Sequence, residues 1–392
     1  MREPARVQAA IEILDQVIAS ARAEGAAADT LVQRYFAARR YAGSKDRAAV
    51  RDLVYAAIRS LGELPANGRA AMLGHAEAIA PALLPFFDGS PHAPAEILPD
   101  EPRAALGAAP DWLVARLRAR FGDAYEAEAA ALLARAPMDL RINRLKTADV
   151  DAIRSSLPVP SETPSGLPLA LPFALRLATP VALENHPLLQ SGVIEVQDAG
   201  SQLVTALCAA APGENVIDLC AGAGGKTLAL AADMAGIGAL IACDTDRGRL
   251  QAMAPRLVRA GAENYVEARL LNPGQETEQL ADVAGRADLV LIDAPCSGTG
   301  TWRRNPELKW RLTEERLARL VSIQARLMDI GVSLVRPGGR LVYAVCSVLG
   351  DEGDAQAAAF SKRHGATESA RLALSPAAHG CDGFFVASFE IR

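Results

Sequence analysis

Two cysteines are placed where they could do chemistry. Each follows directly on an apolar, β-branched run: Leu289-Val290-Leu291-Ile292-Asp293-Ala294-Pro295-Cys296 in one case, Arg340-Leu341-Val342-Tyr343-Ala344-Val345-Cys346 in the other. A thiolate is a potent nucleophile, and Asp293 adds an acid to the same strand end. Either cysteine alone would be assigned to the core, where free thiols commonly sit. Two at corresponding ends of core strands reverse that preference, because neighbouring strands can bring both to one pocket. A pair of inert buried thiols is the competing reading.

A third segment, Asp218-Leu219-Cys220-Ala221-Gly222-Ala223-Gly224-Gly225-Lys226-Thr227, ends another such run and opens into an apolar helix from Leu228 to Met234. Glycine there permits a tight turn and close approach of a ligand to the helix N-terminus. Gly225-Lys226-Thr227 mimics a nucleotide-triphosphate loop, but that pattern requires glycine where the chain has Cys220. About twenty residues on, the run Leu240-Ile241-Ala242 ends near Asp244, an acid suited to a ribose diol; a plain surface aspartate would look the same.

The elements that must position these residues are strands alternating with helices from Pro212 onward. That alternation implies an α/β, doubly wound, mostly parallel sheet with ligands at the carboxyl ends of its strands. Before it, residues 111–197 read as a small α/β subdomain. It begins with helices over Trp112–Phe121 and Tyr125–Ala134, has a strand at Leu140–Asn143, and contains a proline-rich loop or edge at Pro158–Pro172. Residues 1–90 read as an all-α module, with apolar positions Val7, Ile11, Leu14, Val17 and Ile18 at helical spacing. A Pro, Gly and Ala-rich connection over 91–110 separates the two, and 198–392 forms the sheet domain.

Composition sets the outer bounds. The chain has 392 residues, half of them apolar and 22% charged, which is globular and long enough for several cores. No apolar stretch is long enough to span a bilayer, so a cytoplasmic location is the default. The six cysteines are widely spaced with no C-x-x-C pair, which argues against zinc or a disulfide framework. A net charge of −5 argues against a protein that coats nucleic acid but leaves room for local patches. One joins Arg34, Arg39, Arg40, Lys45, Arg47, Arg51 and Arg59; the other joins Arg303, Arg304, Lys309, Arg311, Arg316, Arg319 and Arg326. Each could equally be a solvated helix face.

Together, Asp218 to Thr227, Asp293-Ala294-Pro295-Cys296-Ser297-Gly298-Thr299-Gly300, Arg304-Asn305-Pro306-Glu307, Pro337-Gly338-Gly339 leading to Tyr343 and Cys346-Ser347, and Asp382-Gly383-Phe384-Phe385 resemble the RNA cytosine-C5 methyltransferases. The likeness runs from about Pro110 to Arg392. Arg6 to Leu61 is similar to the antitermination-factor-like RNA-binding domain carried by bacterial ribosomal-RNA members.

The resemblance implies a Rossmann-like class I methyltransferase domain and S-adenosylmethionine as cofactor. Its partner would be RNA, small-subunit ribosomal RNA ahead of transfer RNA; hydropathy and cysteine spacing lead to the expectation of neither membrane nor metal, and a monomer is the default where the sequence does not mark an oligomeric state. Cys346 would add to cytosine carbon 6, Cys296 would assist release, Asp293 would hold the N3/N4 edge, and Lys226 would lie near both ligands. Cys220, Ala221, Gly222, Ala223, Gly224, Gly225 and Lys226 would hold the methionine part, Asp244 and Arg249 the ribose side, and Asp293 the floor of the site. Glu267 would stand in for the family's third-strand Asp. Three departures stand out: Ala344-Val345 where Ser-Thr is usual, the missing third-strand Asp, and Asp351-Glu352-Gly353 for Glu-Glu-Asn.

The competing classes are a methyltransferase for a small molecule or protein with structural cysteines, and a non-catalytic RNA-binding scaffold. A DNA enzyme would carry its nucleophile at the Pro-Cys segment and need a target-recognition domain.

Overall fold

The computed structural model describes all 392 residues. The chain divides into two compact units, 1–135 with 301–314, and 136–300 with 315–392. No helix is long and apolar enough to cross a membrane.

The first unit is helical, with helices at Glu3–Arg22, Ala28–Ala37, Ser44–Ser60, Gly68–Ala78, Asp111–Phe121 and Tyr125–Leu133. The helices at 111–133 therefore stand with the N-terminal helices rather than with the strands that follow. Val7, Ile11, Leu14, Val17 and Ile18 line one face of the first helix and meet Val50, Val54 and Ile58 of the third in a single core.

Segment 301–314 belongs to this unit and is sewn into it by buried cations. Lys309 is fully buried, and its ammonium donates to the carbonyls of Arg59 (3.2 Å) and Ala108 (3.4 Å). Burial, reinforced by the nearby Arg59, pulls its pKa down to about 7. Arg311 donates to Gly25 O at 2.7 Å, and Glu307 accepts from the backbone N–H of Ala28 at 3.1 Å.

The second unit holds two sheets. In the smaller, β1 (Met138–Ile142), β2 (Ser161–Glu162), β3 (Ala174–Leu177) and β4 (Ile194–Val196) pair antiparallel in the order β2-β3-β1-β4. The larger comprises β5 (Asn215–Asp218), β6 (Ala239–Asp244), β7 (Val266–Leu270), β8 (Ala287–Asp293), β9 (Val335–Val345), β10 (Thr367–Leu374) and β11 (Phe384–Glu390), in the order β10-β11-β9-β8-β5-β6-β7. Strands β5 to β9 are parallel, and β10 and β11 are antiparallel additions.

Continuous apolar runs follow from burial on both faces. Leu289 and Leu291 enter one core, with the helices at Ala199–Cys208, Gly225–Asp233 and Arg247–Ala260. Val290 and Ile292 enter the other, with Leu327, Met328, Ile330 and Leu334 of the helix at Glu314–Leu334 and Phe360 of the helix at Asp354–His364. Ala344 and Val345, the residues lacking the family's hydroxyls, are fully buried and divide between these same two cores.

One close approach fixes the loop after β8. Gly383 N donates to Gly300 O at 2.8 Å, and a Cβ on Gly300 would lie 1.9 Å from Gly383 O. No side chain fits between these two backbones. Gly300→Ala should therefore destabilise the fold by roughly 1–3 kcal/mol. A urea denaturation midpoint equal to that of the natural sequence would show that this contact is not held in solution.

Candidate active site

The sheet order reverses between β5 and β8: β6 and β7 extend on one side, β9 and β11 on the other. At such a switch point the helices leave by opposite faces and open a crevice beyond the strand ends. Three segments meet there.

The loop after β5 is held on both sides by strands. Leu219 N donates to Leu291 O (2.9 Å) and Ala221 N to Cys243 O (2.8 Å). Gly222 and Gly224 take φ of +56° and +84°, the left-handed region that disfavours a side chain. Gly224 also caps the helix Gly225–Asp233, whose first-turn N–H groups at Gly225, Lys226 and Thr227 have no partners within the helix. Asp244, at the end of β6, accepts from Gly222 N (2.8 Å) and Asp246 N (2.7 Å), so the acid and the glycine loop are brought together.

A tie absent from the sequence reading secures this loop. Arg256 donates to Ala223 O at 2.6 Å and to Glu195 of β4 at 2.9 Å; Arg259 donates to the other oxygen of Glu195 at 2.6 Å. Burial would raise the Glu195 pKa, but the two guanidiniums outweigh it and hold the carboxyl below its ordinary range. Gln197 adds a bond to Gly225 O at 3.3 Å. Nothing in residue spacing marks Arg256, in mid-helix, as a partner of the glycine loop.

Lys226 reaches from the first turn of that helix to Asp293, the last residue of β8, with Nζ 2.6 Å from Oδ2. Its ammonium also lies 5.3 Å from the Phe384 ring centre. Burial opposes the charge, but Asp293, with a smaller contribution from Cys346, more than compensates, and the Lys226 pKa is raised. Beyond Asp293, the Sγ atoms of Cys296 and Cys346 stand 3.3 Å apart as free thiols. The hydrogen bond shared with Cys346 and then burial push the Cys296 pKa well up. Burial likewise raises the thiol of Cys220.

Two expected residues fall outside this cluster. Glu267 lies three residues before the carboxyl end of β7, opposite Ile241, is exposed, and binds Arg269 at 2.6 Å. At about 3.3 Å per residue it is roughly 10 Å short of the edge. The first polar side chain past that edge is Asn272, whose backbone N–H donates to Gln279 at 2.7 Å. Arg249 follows the Asp246 cap, is 65% exposed, and pairs loosely with Asp246 at 3.7 Å.

The basic stretch 303–326 also reads differently. Arg303, Lys309 and Arg311 are buried in the helical unit and Arg326 pairs with Glu276, so these four pin structure rather than present a cationic face.

Asp218 is fully buried at the end of β5, with Oδ2 accepting from Thr227 Oγ1 at 2.7 Å and Oδ1 without a partner. Burial first, then the neighbouring carboxylates Asp293 and Asp244, raise its pKa from 3.8 to about 7. The folded state thus binds this proton more tightly than the unfolded chain, and stability falls as pH rises from about 4 to about 7, then levels. Asp218→Asn should remove that component, so the melting-temperature difference, variant minus natural sequence, should grow between pH 4.5 and pH 8. A difference independent of pH would mean that Asp218 is ionised throughout.

Comparison with known proteins bears on the family and the fold. The family model described as 16S rRNA methyltransferase RsmB/F matches residues 204–390, and that of the RsmF/B-like ferredoxin-like domain matches 109–184. Ribosomal RNA small subunit methyltransferase B of Salmonella arizonae is 35% identical over 296 residues, covering 71% of this chain. The chain spans 65% of that relative's length. The probable ribosomal RNA small subunit methyltransferase B of Synechocystis is 32% identical over 316 residues, 74% of this chain and 69% of the relative. The crystal structure of PH0851 shares the fold over 98% of both chains, with a TM-score of 0.78 at 21% identity.

Proposed function

The chain belongs to the RsmB/F family of 16S rRNA methyltransferases, and from that premise we propose that it methylates carbon 5 of a cytosine in small-subunit ribosomal RNA, with S-adenosylmethionine as methyl donor. The observation that carries this reading is the pair of thiols 3.3 Å apart, beside the Lys226–Asp293 ion pair, at the switch point of the sheet.

The residues present fit the donor. The unpaired first-turn N–H groups at Gly225, Lys226 and Thr227 suit its carboxylate, and Cys220 to Gly224 supply the backbone cradle. Asp244 suits the ribose hydroxyls. When bound, S-adenosylmethionine supplies a methyl group on a positively charged sulfur.

Carbon 5 of cytosine is too weak a nucleophile to take that methyl unaided. Cys346, after losing its proton, forms an Sγ–C6 bond, and the electron pair of the C5–C6 double bond moves toward carbon 5. Asp293, with one oxygen held by Lys226, offers the other to the cytosine N4 amino group, which uracil lacks. After transfer the C5 proton leaves to a base, the C5–C6 double bond re-forms and the C6–S bond breaks. Cys296, 3.3 Å from the Cys346 sulfur and with its pKa pushed up, is placed to return a proton to that sulfur as it departs. The target base must leave its stack to reach such a crevice, which is easiest in single-stranded or loop RNA.

In this reading Cys346→Ala yields no methylated RNA, and Cys296→Ala accumulates protein covalently bound to RNA, seen as a slow band on a denaturing gel. Methylation by Cys346→Ala at the natural rate would refute the assignment.

The helical unit offers RNA a second surface. Arg47, Arg51, Tyr55 and Arg59 recur every four residues along one face of Ser44–Ser60, and a 530 Å³ groove runs between Arg47, Arg51 and Tyr55 and the helix carrying Phe36. Arg47 lies over Phe36 and Arg59 over Tyr55. Replacing Arg47 and Arg51 by Ala should weaken RNA binding and reduce the salt slope by roughly 0.7 per lost single-strand phosphate contact. Unchanged RNA affinity across a salt titration would return this face to ordinary solvated surface.

A further inference from the structure

The sheet ladder stops short of the two cysteines. Its last rung pairs Asp293 with Ala344, and Ala294 N then donates to Ala344 O at 2.9 Å. Cys296 and Cys346 lie beyond that rung, where β8 and β9 no longer pair; β11 holds the Cys346 side only as far as Val345, and Gly300 N donates to Cys346 O at 3.1 Å, while the two sulfurs face one another at 3.3 Å.

A fully buried polar network lies next to both. Ser297, which follows Cys296, donates its backbone N–H to Glu352 Oε1 at 2.8 Å and its hydroxyl to Glu352 Oε2. The same hydroxyl is 3.2 Å from Ser347 Oγ, and Ser347 follows Cys346. Thr299 Oγ1 joins Ser347 Oγ at 3.0 Å. Gln324 Nε2 bridges Glu352 Oε1 and Pro295 O, both at 3.0 Å, and Tyr343 Oη donates to Glu352 O at 2.7 Å. Glu352 has no exposed surface, and its partners are neutral donors. A carboxylate desolvated without a cation is costly unless its oxygens are well satisfied. Here both oxygens are, and each bond ends on a segment that carries a cysteine or on the helix behind it.

We infer that Glu352 is the positioning residue that holds Cys296 and Cys346 face to face, bridging the two strand-end segments where the sheet no longer does. The inference rests on the reading of these thiols as the reactive pair. Its cause is reach rather than charge: a two-oxygen acceptor at the end of two methylenes spans Ser297 and Gln324 at once.

The distinction is testable with two conservative variants. Glu352→Gln keeps the reach and removes the charge; Glu352→Asp keeps the charge and withdraws the oxygens by one methylene. The readout is the rate at which phenylarsine oxide, a reagent that bridges paired thiols, is captured by the full-length protein, with the site mapped by peptide mass. Glu352→Gln should capture it within about twofold of the natural rate. Glu352→Asp should be slower by roughly tenfold or more, since misplacing reacting groups by about 1 Å can cost on the order of a hundredfold. Sinefungin affinity, measured by calorimetry, should be unchanged in both.

Natural capture by a folded Glu352→Asp, or loss of capture by Glu352→Gln, would overturn the inference. Capture requires neither RNA nor methyl transfer. A natural sequence that captures the arsenical but methylates no RNA would therefore fail the functional reading alone, leaving the positioning role of Glu352 standing.

Discussion

The site depends on one constraint: β8 and β9 are adjacent and parallel, and stay in register from Leu289–Arg340 to Asp293–Ala344. Parallel neighbours end at the same edge of a sheet, so whatever follows each strand is delivered to one place. Asp293 and Cys296 come from β8 and Cys346 from β9, and the order β9-β8-β5 puts the loop after β5 on the other flank. Lys226 needs only the first turn of the helix after β5 to reach Asp293. An antiparallel pairing of the same two runs would have put the cysteines at opposite edges, with nothing in their local sequence changed.

Apolar packing makes the sheet, but it does not fix the loops at its edge. Those are held by buried charge and hydrogen bonds: Glu195 with Arg256 behind the glycine loop, Thr227 on Asp218 beneath it, Glu352 behind the two thiols. Desolvated groups of this kind are expensive to leave unpaired, so each arrangement is stiff. Stiffness at the level of side-chain oxygens is what a site needs if its dipoles and nucleophile are to be in place before the substrate arrives. The glycines act in the same direction. Gly300 and Gly383 let two backbones touch where any side chain would part them.

How much of this was legible in the sequence depended on whether the signal was local. The strands were readable because residues such as Leu289 to Ile292 feed two cores in alternation, which leaves an unbroken apolar run. The glycine loop, Asp244, Asp293 and the two cysteines were readable because each ends such a run. Glu267 misled because a strand's last residue is poorly marked; β7 continues to Leu270, and the polar residue at its edge is Asn272. Arg303, Lys309 and Arg311 misled because composition does not reveal tertiary burial, and Lys309 lies wholly inside the helical unit. The roles of Arg256 and Glu352 were not legible, since a buried polar contact between distant segments has no periodicity. Glu352 was visible only as part of a departure from the family's usual Glu-Glu-Asn.

The two thiols are alike in type and in their place past a strand end, so position alone does not say which one should attack a substrate. Their surroundings do distinguish them. The hydrogen bond shared with Cys346, together with burial, holds the Cys296 thiol well above its ordinary range. The Lys226 ammonium, whose charge is sustained chiefly by Asp293 and to a smaller degree by Cys346, adds a cation at the same strand edge. A cation beside a thiol pair lowers the cost of forming a thiolate there. The proposed reaction asks one sulfur to add to the base and a proton to be returned on release, and what bears on both steps comes from neighbours supplied by β5, β8 and β9 rather than from any property of cysteine.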